Sequence, residues 1–241
     1  MAEKIGFVFD LDGTFINSTD IGDIVKRELY KEFNIQSNDN IEKEIEDLTY
    51  EIIAGDNHKK LGTKLMWAIF KKLGLTFWQR LKALKRANSI FKEEIPKVKL
   101  FKGSEELIGF FDENENHYDY AIITTSSDKE VDARLKKFPD FYKKFEGKIV
   151  SRDSVKNLKP HPESITKVST ILGIPFNRIV LCGDMHTDIL LGKNVNAITI
   201  GVLTGIFSRQ KLLELEPDFI FDSIDDILNN IEKIKDKVIN N

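Results

Sequence analysis

The sequence predicts an α/β fold with a doubly wound parallel, Rossmann-like sheet and an inserted all-helical domain. The apolar run over residues 5–9 is typical of a strand that is buried on both faces. From Leu100 onward, apolar strand-like segments alternate with helical patterns, which indicates βαβ units and therefore a parallel sheet. The residues between these two regions show helical periodicity only, so they predict a domain inserted directly after the first strand.

Composition limits the classes of protein that this chain can belong to. Its 241 residues suffice for one large domain or two modest ones, and a hydrophobic content of 41% excludes a disordered chain. The net charge of −3, with acids and bases well mixed, argues against a nucleic-acid partner. Cys182 is the only cysteine, and no apolar stretch approaches the ~18 residues that span a bilayer. We therefore expect a cytoplasmic protein with no membrane partner, and the oligomeric state stays open.

Four helices are predicted in the inserted block. They cover residues 21–33, 41–53, 58–73 and 77–95, and the glycines and proline that follow three of them are typical helix stops. The fourth helix has Phe77, Leu81 and Phe91 on its expected packing face. We expect this block to form a separate domain over residues 17–99, with the core formed by residues 1–16 and 100–241.

The second half of the chain alternates between strands and helices. Its predicted strands cover residues 118–124, 147–150, 179–182, 197–200 and 218–221. The predicted helices cover residues 104–111, 162–172 and 224–238, with one further helix after the Ser127–Glu130 capping box and another from about His186.

Two carboxylates follow the first strand. Asp10 and Asp12 lie at its carboxyl end, the edge where open α/β sheets bind their ligands. Two acids so close repel each other unless they share a proton or a cation, and Mg²⁺ is suitable because it prefers oxygen ligands. An ordinary Asp-Gly turn between a strand and a helix would give the same local pattern.

Three later strand ends or loops carry polar groups that complement these acids. Thr124, Thr125 and Ser126 place hydroxyls and backbone N–H groups before a helix, which suits an anion. Simple helix capping, a role that Ser127 could also fill, would explain the same pattern. Lys159 lies beside prolines and could neutralise a phosphate, whereas a solvated surface lysine is the default interpretation. Asp184 and Asp188 follow a later apolar strand and could be ligands, whereas a helix start capped by Asp184 or Thr187 would explain the same segment.

In this order, the segments resemble the four motifs of the haloacid dehalogenase superfamily of hydrolases, specifically its C1-capped, phosphoglycolate-phosphatase-like members. The resemblance covers the whole chain, because the helical block lies where such members carry a C1-type cap. Asn17 and Thr125 replace residues that are common in relatives, so altered substrate contacts are expected. The motif residues are Asp10, Asp12, Gly13 and Thr14; Thr124; Lys159 to Pro162; and Gly183, Asp184 and Asp188.

The resemblance implies a Mg²⁺-dependent phosphatase that hydrolyses a small phosphorylated metabolite through an aspartyl-phosphate intermediate. Asp10 would be the nucleophile, and Asp12 would act as general acid and then as general base. Asp10, Asp184 and the backbone carbonyl of Asp12 would hold Mg²⁺.

The phosphoryl group has its own predicted ligands. Thr124, Thr125 and Lys159 would bind its oxygens and offset their charge. Asp188 would act indirectly, by orienting either Lys159 or a metal-bound water.

Several alternatives stay open on the sequence. A phosphomutase of the β-phosphoglucomutase type would return the phosphoryl group to a sugar phosphate, and the residues do not separate it from a phosphatase. A haloacid dehalogenase needs no metal, so Asp12 and Asp184 argue against it, and the complete set of motifs argues against a silent binding protein. Asn57, His58 and Lys59 form a polar break that is either a substrate-specificity loop or a solvent-facing turn.

Overall fold

The chain forms two compact units. A computed structural model describes residues 4–55 and 61–241, so the predicted specificity loop with Asn57, His58 and Lys59 lies outside the described residues. One unit is formed by Met1–Thr19 and Val98–Asn241, and the other by Asp20–Lys97. Among the described residues, no helix combines the length and the apolar character that crossing a membrane requires.

A parallel sheet lies at the centre of the first unit. In the described part of the chain it has six strands in the order β3-β2-β1-β4-β5-β6. Because β1 has neighbours on both sides that follow it in sequence, the strand order reverses there, and this switch point is where α/β sheets form ligand crevices. The prediction of a doubly wound parallel sheet is confirmed. The strands are β1 (Ile5–Phe9), β2 (Tyr118–Ile123), β3 (Ile149–Val150), β4 (Ile179–Gly183), β5 (Ile198–Val202) and β6 (Phe219–Phe221).

The helices follow the predicted alternation with three differences. Two short helices, α7 (Pro139–Lys144) and α10 (Arg209–Leu213), had no counterpart in the sequence prediction. The predicted helix over residues 224–238 is divided at Asn230, where the backbone leaves the helical region (φ −115°, ψ 11°). In chain order the helices are α1 (Thr19–Glu32), α2 (Asp39–Gly55), α3 (Leu61–Lys72), α4 (Phe77–Glu94), α5 (Ser104–Glu113), α6 (Asp128–Leu135), α7 (Pro139–Lys144), α8 (Glu163–Leu172), α9 (His186–Asn194), α10 (Arg209–Leu213), α11 (Asp226–Asn229) and α12 (Ile231–Ile239).

Both faces of the sheet are packed, which fixes the position of β1. Side chains alternate between the faces of a strand. Phe7 and Phe9 therefore share one face, where the ring centroid of Phe7 lies 4.6 Å from that of Phe111 in α5. Val8 points to the opposite face and belongs to an aliphatic cluster that includes Ile165 from α8. With both faces buried, the carboxyl end of β1 is a rigid platform for the residues that follow it.

The buried face of α4 differs from the predicted one. Its buried residues are Ala83, Ala87 and Ile90, whereas Phe77 is 52% exposed and Leu81 is 42% exposed. Periodicity predicted that the large apolar residues form the packing face of α4. The small alanines form it instead, because they allow a neighbouring helix to approach closely.

Candidate active site

The carboxyl ends of β1, β2 and β4 bring three of the predicted residues to one edge of the sheet. Asp10 follows β1 directly, and its backbone N–H donates to the carbonyl of Cys182 in β4 at 2.9 Å. Asp184 follows β4 and Thr124 follows β2, and all three side chains are buried. The hydroxyl of Thr124 accepts a hydrogen bond from the N–H of Ser126 at 3.0 Å, so it is oriented by the turn. Thr125 lies in the same turn but is exposed.

Lys159 is the buried cation of this site. Its Nζ donates to Oδ1 of Asp10, to Oδ1 of Asp188 at 2.6 Å and to the carbonyl of Ile123 at 3.4 Å. Burial alone would lower the pKa of Lys159, but the carboxylates of Asp10 and Asp188 raise it above its ordinary value, so the amine stays charged. The interpretation of Lys159 as a solvated surface lysine is therefore wrong.

Asp188 connects this lysine to helix α9. It is completely buried, and its Oδ2 accepts the backbone N–H of Met185 at 3.2 Å while Oδ1 holds Lys159. A carboxylate with two fixed partners fixes the lysine in turn. Asp188 therefore contacts the lysine that it was predicted to orient.

The site has more negative than positive charge. Burial raises the pKa of the Asp10 carboxyl to about 7, with Lys159 opposing the shift and Asp188 adding to it. Burial also raises the pKa of Asp184, and the charges of Asp10 and Asp188 raise it further. When ionised, the four carboxylates of Asp10, Asp12, Asp184 and Asp188 exceed the two cations that contact them, Lys159 and Arg134, by two negative charges.

This imbalance fits a divalent cation. Oδ1 of Asp184 is buried and has no hydrogen-bond partner among the residues that the structure describes, and a hard cation would satisfy such an oxygen. Within residues 4–55 and 61–241, no three His, Cys, Asp or Glu side chains converge in a metal-binding group. The expected ligands are the carboxylates of Asp10 and Asp184 and the carbonyl of Asp12, which are two such side chains; Mg²⁺ commonly uses one or two carboxylates and completes its shell with water and substrate oxygens.

Asp12 has partners that the sequence did not reveal. Its Oδ1 lies 2.7 Å from Nε of Arg134, and its Oδ2 accepts a hydrogen bond from Oγ of Ser126 at 2.9 Å. Ser126 lies in the turn that was expected to bind an anion, but Arg134 belongs to none of the four motifs. Its only signal in the sequence is its position one helical turn after the Ser127–Glu130 capping box.

Two glycines allow loops to approach Asp184. Gly13 has φ +77°, and a Cβ atom there would lie 2.6 Å from Cγ of Asp184. In the loop after β5, a Cβ atom on Gly205 would overlap the Asp184 carboxylate, and Oγ1 of the neighbouring Thr204 donates to the carbonyl of Gly13. The loop after β5 therefore forms a wall of the site. It approaches Asp184 so closely that position 205 has no room for a side chain.

Comparison with known proteins identifies a family. Residues 7–202 match the family model described as "Haloacid dehalogenase-like hydrolase". Among curated proteins, Pyrophosphatase PpaX of Anoxybacillus flavithermus is 34% identical over 118 residues, which cover 48% of this chain and 53% of that protein. The chain spans about half the length of the curated relatives that it matches.

Solved structures share the fold over nearly the whole chain. A Haemophilus somnus protein that is predicted to be a phosphoglycolate phosphatase aligns with a TM-score of 0.71 and 21% identity, covering 95% of this chain and 98% of that one. A Thermotoga maritima protein named as a candidate β-phosphoglucomutase aligns with a TM-score of 0.70 and 19% identity, covering 95% and 99%. At these identities the likeness shows the fold alone.

Proposed function

This chain belongs to the haloacid dehalogenase-like hydrolase family, and on that premise we propose that it is a Mg²⁺-dependent phosphatase that acts on a small phosphate ester through an aspartyl-phosphate intermediate. The observation that carries the proposal is the buried contact of Lys159 with Asp10 at the switch point of the sheet. A carboxylate held beside a permanent cation, with a second acid two residues away, suits nucleophilic attack on a phosphoryl group.

The first step transfers the phosphoryl group to Asp10. With Oδ1 of Asp10 held by Lys159, Oδ2 attacks phosphorus, and the bond from phosphorus to the leaving oxygen breaks. Asp12 gives its proton to the leaving oxygen as that oxygen departs. Lys159 and the hydroxyl of Thr124 offset the charge on the phosphoryl oxygens. Mg²⁺, held by Asp10, Asp184 and the carbonyl of Asp12, would supply further neutralisation of that charge.

The second step regenerates the enzyme. Asp12, now a carboxylate, takes a proton from a water molecule that attacks the phosphorus of the aspartyl-phosphate. The bond from phosphorus to Oδ2 of Asp10 breaks, inorganic phosphate is released, and Asp12 is again protonated. Asp188 keeps Lys159 in place through both steps.

We propose the substrate as a chemical class, a small phosphate ester, and name a panel of compounds to test. The PpaX relatives are named pyrophosphatases, so inorganic pyrophosphate belongs in a substrate panel beside phosphoglycolate, sugar phosphates and nucleotides. We propose that the helical block acts as the cap and that Asn57, His58 and Lys59 contribute to substrate choice.

A phosphomutase is the second candidate function, because a protein named as a candidate β-phosphoglucomutase shares the fold. Analysis of the products formed from a hexose phosphate separates a phosphomutase from a phosphatase.

Activity should require Mg²⁺. We expect hydrolysis of a phosphate-ester panel with Mg²⁺ and its loss in excess chelator, because the carboxylates of the site, once ionised, exceed its cations and need a further positive charge. Ca²⁺ should substitute poorly, since its larger and looser ligand shell misplaces the attacking carboxylate. Steady-state phosphate release with each ion measures this, and thermal denaturation of the apo and Mg²⁺-loaded protein provides an independent readout of binding. Full activity in excess chelator would contradict the proposal.

Substitution of Gly205 should impair the site without touching the substrate. Gly205→Ala forces a Cβ atom into the Asp184 carboxylate, and a displacement of about 1 Å can cost about 100-fold in rate. The matched control is Gly109→Ala in α5, where a Cβ atom meets open space and the helix gains up to about 1 kcal/mol from the better helix former. Steady-state kinetics of both purified variants test the expectation. A wild-type kcat/KM for Gly205→Ala would contradict it and would show that the loop after β5 moves to accommodate the Cβ atom.

A further inference from the structure

Arg134 is a cation beside the acid that the proposed mechanism uses for proton transfer. Its Nε lies 2.7 Å from Oδ1 of Asp12, and only 13% of its side chain is exposed, compared with 27% for Asp12. The contact is an ion pair without an aligned hydrogen bond, since neither atom satisfies hydrogen-bond geometry. Charge therefore attracts the carboxylate to the guanidinium, and the partial burial weakens solvent screening of that attraction.

Helix α6 delivers this arginine to the edge of the sheet. Ser127 begins the helix with a capping box, in which its Oγ accepts from the N–H of Glu130 and its own N–H donates to Oε2 of Glu130 at 2.7 Å. Arg134 lies one turn later, and its Nη1 donates back to the carbonyl of Glu130 at 2.8 Å. Because helical side chains lean toward the N-terminus of their helix, a long arginine at this position reaches the start of α6, where β2 ends and Asp12 lies.

Both oxygens of Asp12 are held from the same segment. Ser126, immediately before the cap of α6, donates its Oγ to Oδ2 at 2.9 Å, while Arg134 occupies Oδ1. A short aspartate side chain at a partly exposed position would otherwise sample several rotamers. The two contacts select one of them.

We propose that Arg134, together with Ser126, is a positioning residue that holds the carboxylate of Asp12 in the place from which it exchanges a proton with the leaving oxygen and then with water. The inference rests on the proposed function. It also gives a reason for the contact other than stability, because an ion pair at a partly exposed site contributes little to the free energy of folding.

The test compares two arginines that contact the same glutamate. Arg134→Met removes the partner of Asp12, whereas Arg152→Met removes an arginine whose Nη2 donates to Oε2 of Glu130 at 3.1 Å. Each variant is assayed with Mg²⁺ on a series of aryl phosphates that differ in leaving-group acidity. We expect Arg134→Met to lose about 10- to 100-fold in kcat/KM, which reports the steps up to departure of the leaving group, on phenyl phosphate and little on 2,4-dinitrophenyl phosphate, whose leaving oxygen needs no proton. Arg152→Met should match wild type on both substrates.

Two further variants keep the test decisive if Arg134→Met folds poorly. Ser126→Ala removes the other contact with a smaller change and should shift the leaving-group dependence in the same direction. Arg134→Lys keeps the charge and should recover part of the rate on phenyl phosphate. In an Asp12→Asn background, Arg134→Met should have no additional effect, because the two residues act as a unit.

Other results would overturn the inference. Equal losses in kcat/KM on activated and unactivated esters, or losses that follow the melting temperature alone, would assign Arg134 a structural role. Unchanged kinetics in both Arg134→Met and Ser126→Ala would show that neither residue positions Asp12, and would also overturn the inference. Wild-type hydrolysis of 2,4-dinitrophenyl phosphate with Mg²⁺ tests the proposed function separately, and its absence would overturn the function and the inference together.

Discussion

Asp10→Asn will reduce turnover by at least about 10⁴-fold, because an amide nitrogen is a poor nucleophile and a nucleophile acts with its partners as one unit. Phosphate release by the purified variant measures this loss. The control for a neutralised aspartate elsewhere is Asp222→Asn, at an exposed position where the carboxylate forms an ion pair with Arg209. Retained turnover in Asp10→Asn would remove Asp10 from the nucleophile role.

The fold of the same variant should survive. Burial raises the pKa of Asp10 from 3.8 to about 7, so the folded state binds this proton more tightly than the unfolded state does. A raised carboxyl pKa contributes stability below the unfolded value, and that stability is lost as the pH rises through about 7. Above pH 7, the neutral amide avoids the cost of a buried anion, while Lys159 keeps Asp188 at 2.6 Å. We therefore expect the Tm of Asp10→Asn at pH 8 to equal or exceed that of the wild type.

Lys159→Met should abolish activity and also destabilise the protein, which makes it the second large effect. Methionine fills similar space but leaves the buried carboxylates of Asp10 and Asp188 without their cation. Breaking a buried ion pair on one side costs about 3–5 kcal/mol, which corresponds to a fall in Tm of roughly 10 °C for a chain of this size. Thermal denaturation and phosphate release measure the two losses.

Two comparisons separate this effect from the mere loss of a lysine. Lys148→Met removes an ion pair of 2.7 Å with Asp119 at a part-exposed position, so its Tm should change little. Adding Asp188→Asn to Lys159→Met removes one of the two uncompensated charges and should recover part of the Tm without restoring activity. A double variant no more stable than Lys159→Met would contradict the view that buried charge causes the loss.

The sequence determined the fold class and the positions of the motifs in it. A two-sided apolar strand followed by acids, and a later alternation of strands and helices, were sufficient to predict a doubly wound parallel sheet with polar residues at its carboxyl edge. This succeeded because strand burial and the right-handed βαβ connection are encoded locally and leave few topologies. Asp10, Thr124 and Asp184 therefore lie at the ends of β1, β2 and β4, as expected.

Only the tertiary structure decided which side chains meet. Lys159 was one lysine among many in sequence, and its burial between Asp10 and Asp188 depends on the packing of its loop against β2. The contact of Arg134 with Asp12 joins residues that are distant in sequence, and it depends on where α6 begins and on the direction of its side chains. Periodicity and spacing in a sequence predict which face of a single helix or strand is buried. The pairing of charges across elements is set by their packing, because a long side chain finds its partner only after the helix and the sheet edge have been brought together.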